Sequence, residues 1–126
     1  MADQDGVEEL VERYLQAWTE RRAPSRRRLL EALWAEGATY SSWVTNLEGL
    51  DALDAHIALR QEAEEPGSRL VRTSGVHANQ GRISFTWELL EPDGTVAFEG
   101  SEFCEVDQDG KLVRVTSFSG RPAEHP

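Results

Sequence analysis

The sequence contains a single cysteine, Cys104, in 126 residues, so an internal disulfide is excluded. It has only three histidines, and neither these nor the cysteine falls in the spacing of a zinc site. The glycines form no phosphate-binding loop and no dinucleotide-binding fingerprint, and no GxSxG or HExxH motif is present. We therefore predict neither a metal site nor a cofactor.

Positive charge is also scarce, with 13 Lys and Arg against 23 Asp and Glu and a net charge of −10. A field of this sign repels a phosphate backbone, so nucleic acid is not an expected partner. The one basic cluster, which we interpret as a solvated patch between two helices, consists of Arg21, Arg22, Arg26, Arg27 and Arg28.

Long apolar runs are missing as well: no segment approaches the ~18 residues that span a bilayer. Residues 1–5 carry two aspartates and none of the apolar segment typical of a secretory signal. We expect a cytoplasmic protein with no membrane partner.

The length and the aromatic content favour one domain over residues 1–126, with 1–6 and 121–126 as flexible tails. Apolar residues at helical spacing predict a first helix, which Asp5 and Glu8 would cap; its stripe is Val7, Leu10, Val11, Tyr14, Leu15 and Trp18.

Two further helices follow. The second is predicted to begin at Ser25 as N-cap, after Pro24, and to end at Gly37 as C′ residue. Its apolar stripe comprises Leu29, Leu30, Leu33 and Trp34. The third helix is predicted to follow Gly49 and to end before Pro66.

The remaining segments predict strands. Residues 38–44 form the first, and four more begin at Arg69, Arg82, Thr95 and Lys111. Short connectors rich in Gly, Asn, Asp and Pro separate the last four and predict antiparallel hairpins. Because long strands twist and curl, we predict an α+β fold in which a curved antiparallel sheet wraps around three helices and an internal pocket.

Three polar residues lie on apolar faces. Alternation places Glu102 with Phe98, Gly100 and Cys104 on the side facing the helices, where burial would raise its pKa. The competing interpretation is a bulge near Gly100 that turns Glu102 to solvent. Tyr14 and His56 interrupt helical stripes, and for each the alternative to a functional role is ordinary packing with a local hydrogen bond.

Four strings that cover nearly the whole chain resemble the nuclear transport factor 2-like superfamily, in its SnoaL-like polyketide cyclase and ketosteroid isomerase branch. They are ERYLQAW at 12–18, LLEALWAEGATY at 29–40, LEGLDALDAHIA at 47–58 and FEGSEFCEVDQDGKLVRVTSFSG at 98–120. The resemblance implies a cone-shaped, cystatin-like α+β roll around a pocket. The fold hosts enzymes, binders and adaptors alike, so the resemblance alone does not define a function.

The resemblance also implies site residues. Tyr14 and Glu102 match the tyrosine and the protonated acid that form an oxyanion hole in the isomerases. Ser42 and Trp43 stand where those enzymes have their proton-shuttling Asp, so the usual base is absent and His56 is the candidate replacement. The residues expected to contact the substrate are Trp18, Tyr40, Ser42, Trp43, Phe85, Trp87, Phe98, Cys104, Val115 and Ser117.

Three functions remain open on this basis. The first is a cofactor-free isomerase or cyclase acting on a hydrophobic carbonyl compound, with Tyr14, Glu102 and His56 as catalytic residues. The second is a protein that binds a small hydrophobic molecule without chemistry, which the loss of the Asp at Ser42 favours. The third is a dimerising interaction module. The resemblance implies a homodimer, and Leu90 and Val113 are apolar positions on the outer face that it would use.

Overall fold

The computed structural model describes residues 4–120 and consists of three helices on the concave side of one curved sheet. The helices are α1 (Gln4–Thr19), α2 (Ala23–Leu33) and α3 (Leu50–Ala63). The strands are β1 (Trp34–Ser41), β2 (Asn46–Glu48), β3 (Arg69–Arg72), β4 (His77–Asn79), β5 (Arg82–Leu90), β6 (Val96–Val106) and β7 (Leu112–Ser119). This confirms the predicted α+β class. Of the expected tails, residues 4–6 belong to α1, and 1–3 and 121–126 lie outside the described residues.

The sheet has the order β2-β1-β7-β6-β5-β3, and β4 also pairs with β5. The predicted hairpins are confirmed, since β4, β5, β6 and β7 form antiparallel neighbours in that order. The single strand predicted from Arg69 is instead two strands, β3 and β4, and β2 was not predicted. The prediction of an entirely antiparallel sheet is wrong, because β1 pairs with β7 in parallel. That pairing joins residues more than seventy positions apart, which local turn chemistry does not encode. None of the described helices is long and apolar enough to cross a membrane.

The second helix and first strand differ from their predicted bounds. Pro24 lies in the first turn of α2, and the N-cap is Arg22 without a side-chain cap, so Ser25 is inside the helix. The strand β1 begins at Trp34, four residues earlier than predicted. Gly37, with a φ of +73°, therefore lies within β1, where the register with β7 shifts, and does not end the helix.

The apolar stripe of α1 packs against the concave face of the sheet and forms the core. Tyr14 is only 1% exposed there, and the inward residues of β5 and β7, such as Ile83 and Val115, are equally buried. On the convex face, Phe103 and Phe118 remain exposed on neighbouring strands. We call these two residues the outer patch.

The arginine cluster is not the uniform solvated patch that its sequence suggests. Arg26 is buried, and its guanidinium pairs with Asp54 at 2.6 Å and donates to the side-chain oxygen of Gln61 at 3.0 Å. Arg21 donates to the carbonyl oxygens of Gln61 and Glu65 at the end of α3. These contacts join α2 to α3 and so help to position one wall of the candidate site.

Candidate functional site

A cavity of about 150 Å³ opens at one end of the concave face, between the ends of α1 and α3 and strands from both halves of the sheet. Most of the predicted site residues lie on its wall. The aromatic and imidazole groups are Trp18, Tyr40, Trp43, His56, Trp87 and Phe98. The polar groups predicted to contact a ligand, and found there, are Ser42, Glu102 and Ser117.

Three of the predicted substrate-binding residues, Phe85, Cys104 and Val115, do not lie on the cavity wall. They face the concave side as predicted, but they are buried in the core that the helices cover. Phe85 and Val115 are opposite residues of the cavity wall, Glu102 and Tyr40, whereas Cys104 is opposite the core residues Ile83 and Val115. Alternation indicates which face of a strand is inward, but not which end of that face the helices leave open.

Glu102 is the central polar group of the site. It projects inward from β6, and only 4% of its surface is exposed. The register of β5 with β6 runs without a shift from Arg82 to Leu89, so the proposed bulge near Gly100 is absent. The prediction that Glu102 faces the helices is confirmed.

Burial determines the ionisation of Glu102. Desolvation disfavours the carboxylate and raises the pKa of Glu102 to about 8, although donors on Ser117, Tyr14 and Trp87 act in the opposite direction. The carboxyl is therefore mostly protonated at pH 7. A buried carboxylic acid of this kind is a hydrogen-bond donor as well as an acceptor.

The two oxygens of Glu102 have different surroundings. The hydroxyl of Tyr14 donates to Oε1 at 3.1 Å, and Tyr14 itself is buried and absent from the cavity wall. Oε2 is buried and has no partner in hydrogen-bond geometry among the described residues. The hydroxyl of Ser117 and the indole of Trp87 are close enough to affect the pKa of Glu102, yet Nε1 of Trp87 also lacks a partner in that geometry. Oε2 is thus the oxygen of Glu102 that the described residues leave without a hydrogen-bond partner, in a residue of the cavity wall.

This geometry changes the predicted role of Tyr14. The tyrosine supports Glu102 from behind and does not itself reach the cavity. Tyr40 is the phenol on the wall, and burial followed by the nearby Glu102 raises its pKa, so its hydroxyl is protonated at neutral pH. The predicted place of Tyr40 in the ligand pocket is therefore found, whereas Tyr14, predicted to contact the ligand, lies behind Glu102.

Replacement of Tyr14 by phenylalanine tests this assignment. The hydrogen bond that Tyr14 donates to Oε1 stabilises the charged carboxylate and so lowers the pKa of Glu102. The change removes this donor, so the pKa of Glu102 is expected to rise further. Because one buried acceptor loses its partner, unfolding should become easier by about 1–3 kcal/mol. Carbon-detected NMR titration of the Glu102 carboxyl is the measurement. A pKa that stays the same or falls would contradict the supporting role.

Gly100 leaves space for the indole of Trp87, which forms part of the cavity wall near Glu102. It pairs with Trp87 across the sheet, and a Cβ at this position would collide with the Trp87 indole and with the carbonyl oxygen of Phe118. The indole therefore lies over the glycine, two residues from Glu102, and closes that side of the cavity.

We expect Gly100→Ala to destabilise the fold by about 1–3 kcal/mol, because the added methyl group overpacks a site with backbone on one side. Chemical denaturation measures the change. Gly110→Ala is the matched control, because a Cβ added at Gly110 meets open space. The positive φ of Gly110 gives that substitution a smaller cost of its own. A larger loss at Gly110 than at Gly100 would contradict the packing argument.

His56 lies in the second turn of α3, the helix that packs against β1 and β2. Its ring centroid is 5.7 Å from that of Tyr40 and 5.9 Å from that of Trp18. Burial, with a smaller contribution from the Arg60 charge, lowers the pKa of His56 below its usual value. The imidazole is therefore neutral at pH 7 and has a lone pair that accepts a proton.

Ser42 and Trp43 form the rim where β1 ends. The Ser42 amide donates to the carbonyl of Thr45 at 2.9 Å, and its hydroxyl accepts from the Val44 amide at 3.3 Å, which defines a tight turn. This turn holds Trp43 at the mouth of the cavity with 82% of its side chain exposed. The hydroxyl of Ser42 interacts with the phenol of Tyr40, whose raised pKa keeps it protonated, so Tyr40 does not activate Ser42 as a base.

Sequence reasoning missed several wall residues: Val44, Arg60, Glu64, Leu70, Leu89 and Ser119. Arg60 and Glu64 follow His56 at intervals of one helical turn, so helical spacing contained the signal for both. Leu70 and Leu89 approach the cavity through the pairing of β3 with β5, which no local pattern indicates. In residues 4–120, no group of three or more His, Cys, Asp or Glu side chains is arranged to hold a metal ion.

The curved sheet, the three helices in its concavity and the acid at the base of the cavity define a small α+β pocket protein. The model of the SnoaL-like domain matches residues 11–115, and the chain belongs to that family. A comparison with curated proteins gives no match.

Solved structures agree with this family. A SnoaL-like family protein from Agrobacterium tumefaciens, provisionally named an isomerase, is 26% identical with a TM-score of 0.87, over 93% of this chain and 99% of that chain. A SnoaL-like protein from Jannaschia sp. CCS1, provisionally named a polyketide cyclase, has 16% identity and a TM-score of 0.72, over 91% and 85%. An NTF2-like protein of unknown function from Exiguobacterium sp. 255-15 has 17% identity and a TM-score of 0.71, over 90% and 99%. The last two show the NTF2-like fold alone.

Proposed function

We propose that this protein is a cofactor-independent enzyme that isomerises or cyclises a small hydrophobic carbonyl compound through an enol intermediate. The observation that carries the proposal is Glu102 Oε2, a buried and protonated acid oxygen with no partner among the described residues, in the wall of a largely apolar cavity. Such a group donates a hydrogen bond to a carbonyl oxygen and stabilises the negative charge that develops there.

The proposed reaction begins with proton abstraction from the carbon next to the carbonyl. The neutral imidazole of His56 takes that proton, and the electron pair moves onto the carbonyl oxygen, which accepts the hydrogen bond from Glu102. Tyr14 holds the other oxygen of Glu102 and so orients the donor. Where the substrate has a double bond next to the α carbon, the imidazolium then returns the proton to the far end of the dienolate, which gives an isomer. Where the substrate has a second carbonyl, the enolate carbon attacks it and the imidazolium protonates the alkoxide that forms, which gives a ring.

His56 is assigned as the base because Ser42 is not suited to that task. A serine hydroxyl is too weakly basic unless a neighbouring group activates it. His56 has a lowered pKa and lies on the same wall as Tyr40. General acid–base catalysis needs a group of this ionisation within reach of the substrate carbon.

The volume of the cavity limits the ligand. An engineered protein cavity of ~150 Å³ binds benzene, so a cavity of about this volume suits one ring with a short substituent. A four-ring steroid is too large for the enclosed part. The proposed substrate is accordingly smaller than a steroid, with any longer part passing between Trp43 and Phe98 at the mouth.

The test compares two molecules of the same shape. 4-Methylacetophenone carries a carbonyl, and 4-isopropyltoluene replaces it with an isopropyl group. We expect the ketone to bind more tightly by calorimetry, and the protein to catalyse exchange of its acetyl protons for deuterium, followed by NMR. Ketone binding without exchange would overturn the catalytic proposal and favour the non-catalytic ligand-binding alternative. Equal binding of both molecules would overturn the role of Glu102.

The outer patch supports the expected homodimer. Phe103 and Phe118 lie on the convex face of β6 and β7, and both are exposed in the single chain. We expect light scattering at micromolar concentration to give twice the monomer mass, and Phe118→Glu to shift the protein toward monomer, because the substitution places a charge on an apolar contact. A wild-type monomer at that concentration would contradict the expectation.

A further inference from the structure

Arg60 places a positive charge at the mouth of the proposed site. It lies four residues after His56 on α3, so both side chains project from the same face of the helix. Arg60 is part of the cavity wall, and its charge acts on Tyr40, His56 and Glu64. It is the only cationic side chain among the described residues of that wall.

Among the described residues, Arg60 forms no ion pair within 4 Å, although its charge acts on Glu64 one helical turn away. Glu64, the nearest acid on the wall, lies 3.9 Å from Arg21, which also donates to backbone carbonyls at the end of α3. Within residues 4–120, Arg60 forms neither an ion pair nor a side-chain hydrogen bond, in contrast to Arg21, Arg26 and Arg27. Its guanidinium is therefore available to a ligand.

We propose that the substrate of this site is an oxo acid: a small hydrophobic carbonyl compound whose carboxylate is bound by Arg60 while its carbonyl oxygen is bound by Glu102. The inference rests on the proposed function and names its substrate class. A guanidinium matches a carboxylate with two parallel N–H donors, and this geometry orients as well as attracts the ligand.

The charge of the whole chain makes the local arginine important. A net charge of −10 repels an anionic ligand at long range, so an anion enters only where a local cation offsets that field. The other acid that faces the cavity from β6, Glu102, is mostly protonated at pH 7 and adds little repulsion. The site thus combines Arg60 and the acid Glu64, which Arg21 also approaches, at its mouth with a mostly neutral acid at its base.

The experiment compares 4-acetylbenzoate with 4-methylacetophenone, in which a methyl group replaces the carboxylate. Since Arg60 is exposed to solvent, we expect the wild type to bind the carboxylate about fivefold more tightly at low salt. The preference should disappear at high salt and in Arg60→Gln, and should persist in part in Arg60→Lys, which keeps the charge without the fork. Arg69→Gln is the control, because it makes the same change in net charge on an exposed arginine outside the cavity.

Each outcome decides between the two proposals. If the binding of 4-methylacetophenone depends on Glu102, but 4-acetylbenzoate binds no more tightly than 4-methylacetophenone, the oxo-acid inference is overturned and the proposed function stands. A preference that survives Arg60→Gln also overturns the inference, because another group then binds the carboxylate. If neither molecule binds, both proposals fall. A preference lost equally in Arg69→Gln would reflect net charge and would overturn the assignment to Arg60.

Discussion

Replacement of Glu102 by leucine is expected to lower the rate of α-proton exchange by about 10²–10³-fold, the loss typical when one oxyanion donor is removed. The substitution deletes the acid at the base of the cavity and leaves the carbonyl oxygen of the ligand without its donor. Glu102→Gln is the matched variant, because its amide keeps a donor of similar shape that does not ionise. The rate of Glu102→Gln should lie between those of the leucine variant and the wild type.

The pH dependence separates a donor from a merely structural residue. In the wild type, the affinity for 4-methylacetophenone should fall as pH rises through about 8, because ionised Glu102 has no proton to donate. In Glu102→Gln the affinity should stay constant over the same range. Calorimetric titrations at several pH values measure both. A wild-type affinity that is constant from pH 6 to pH 9 would show that Glu102 does not donate to the ligand.

The same ionisation affects the free energy of unfolding. The pKa of Glu102 is about 8 in the folded state and near 4.5 when unfolded, so the folded state holds the proton more tightly. The contribution of this proton to the free energy of unfolding is fully present below the unfolded pKa and is lost as pH rises toward about 8. The total loss is on the order of a few kcal/mol. Glu102→Gln should remove this decline. Urea denaturation at several pH values tests the slope.

His56→Gln is expected to reduce α-proton exchange by about 10²–10⁴-fold, the usual contribution of a general base. Glutamine keeps much of the polar volume beside Tyr40 and Trp18 but accepts no proton at neutral pH. Binding of 4-methylacetophenone should change far less than the rate, since His56 acts on the carbon and not on the carbonyl oxygen. His77→Gln is the control, because His77 is an exposed histidine on β4, outside the cavity.

The wild-type rate should follow a bell-shaped pH profile. Its acid limb reflects His56, because burial and the Arg60 charge both lower the pKa of that residue. Its basic limb reflects Glu102, which has a pKa of about 8. Arg60 and Glu64 are the other charged groups on that helix face, so Arg60→Gln should move the acid limb to higher pH. An acid limb that persists in His56→Gln would assign the base to another residue.

The helices and hairpins were predictable because their signals are local. The stripe that ends at Trp18, the stop at Pro66 and Gly67, and the Gly-containing turns of the last four strands each depend on a few neighbouring residues. Alternation left the inward position of Glu102 open beside a bulge near Gly100, the family resemblance favoured it, and the regular pairing of β5 with β6 confirmed it. The SnoaL-like family was also recognisable from the sequence, because its strings extend over nearly the whole chain.

What the sequence by itself determined was therefore the three helices, the long strands and the face on which their side chains lie, but not the short strand β2 or the division of the segment after Arg69 into β3 and β4. Only the tertiary structure decided which residues meet: the parallel pairing of β1 with β7, and the contact of Tyr14 with Glu102 across 88 positions. It also decided that Phe85, Cys104 and Val115 are core while Arg60 reaches the cavity. The physical reason is that alternation and helical spacing act over a few residues, whereas the open end of the sheet depends on how three helices pack across all of its strands.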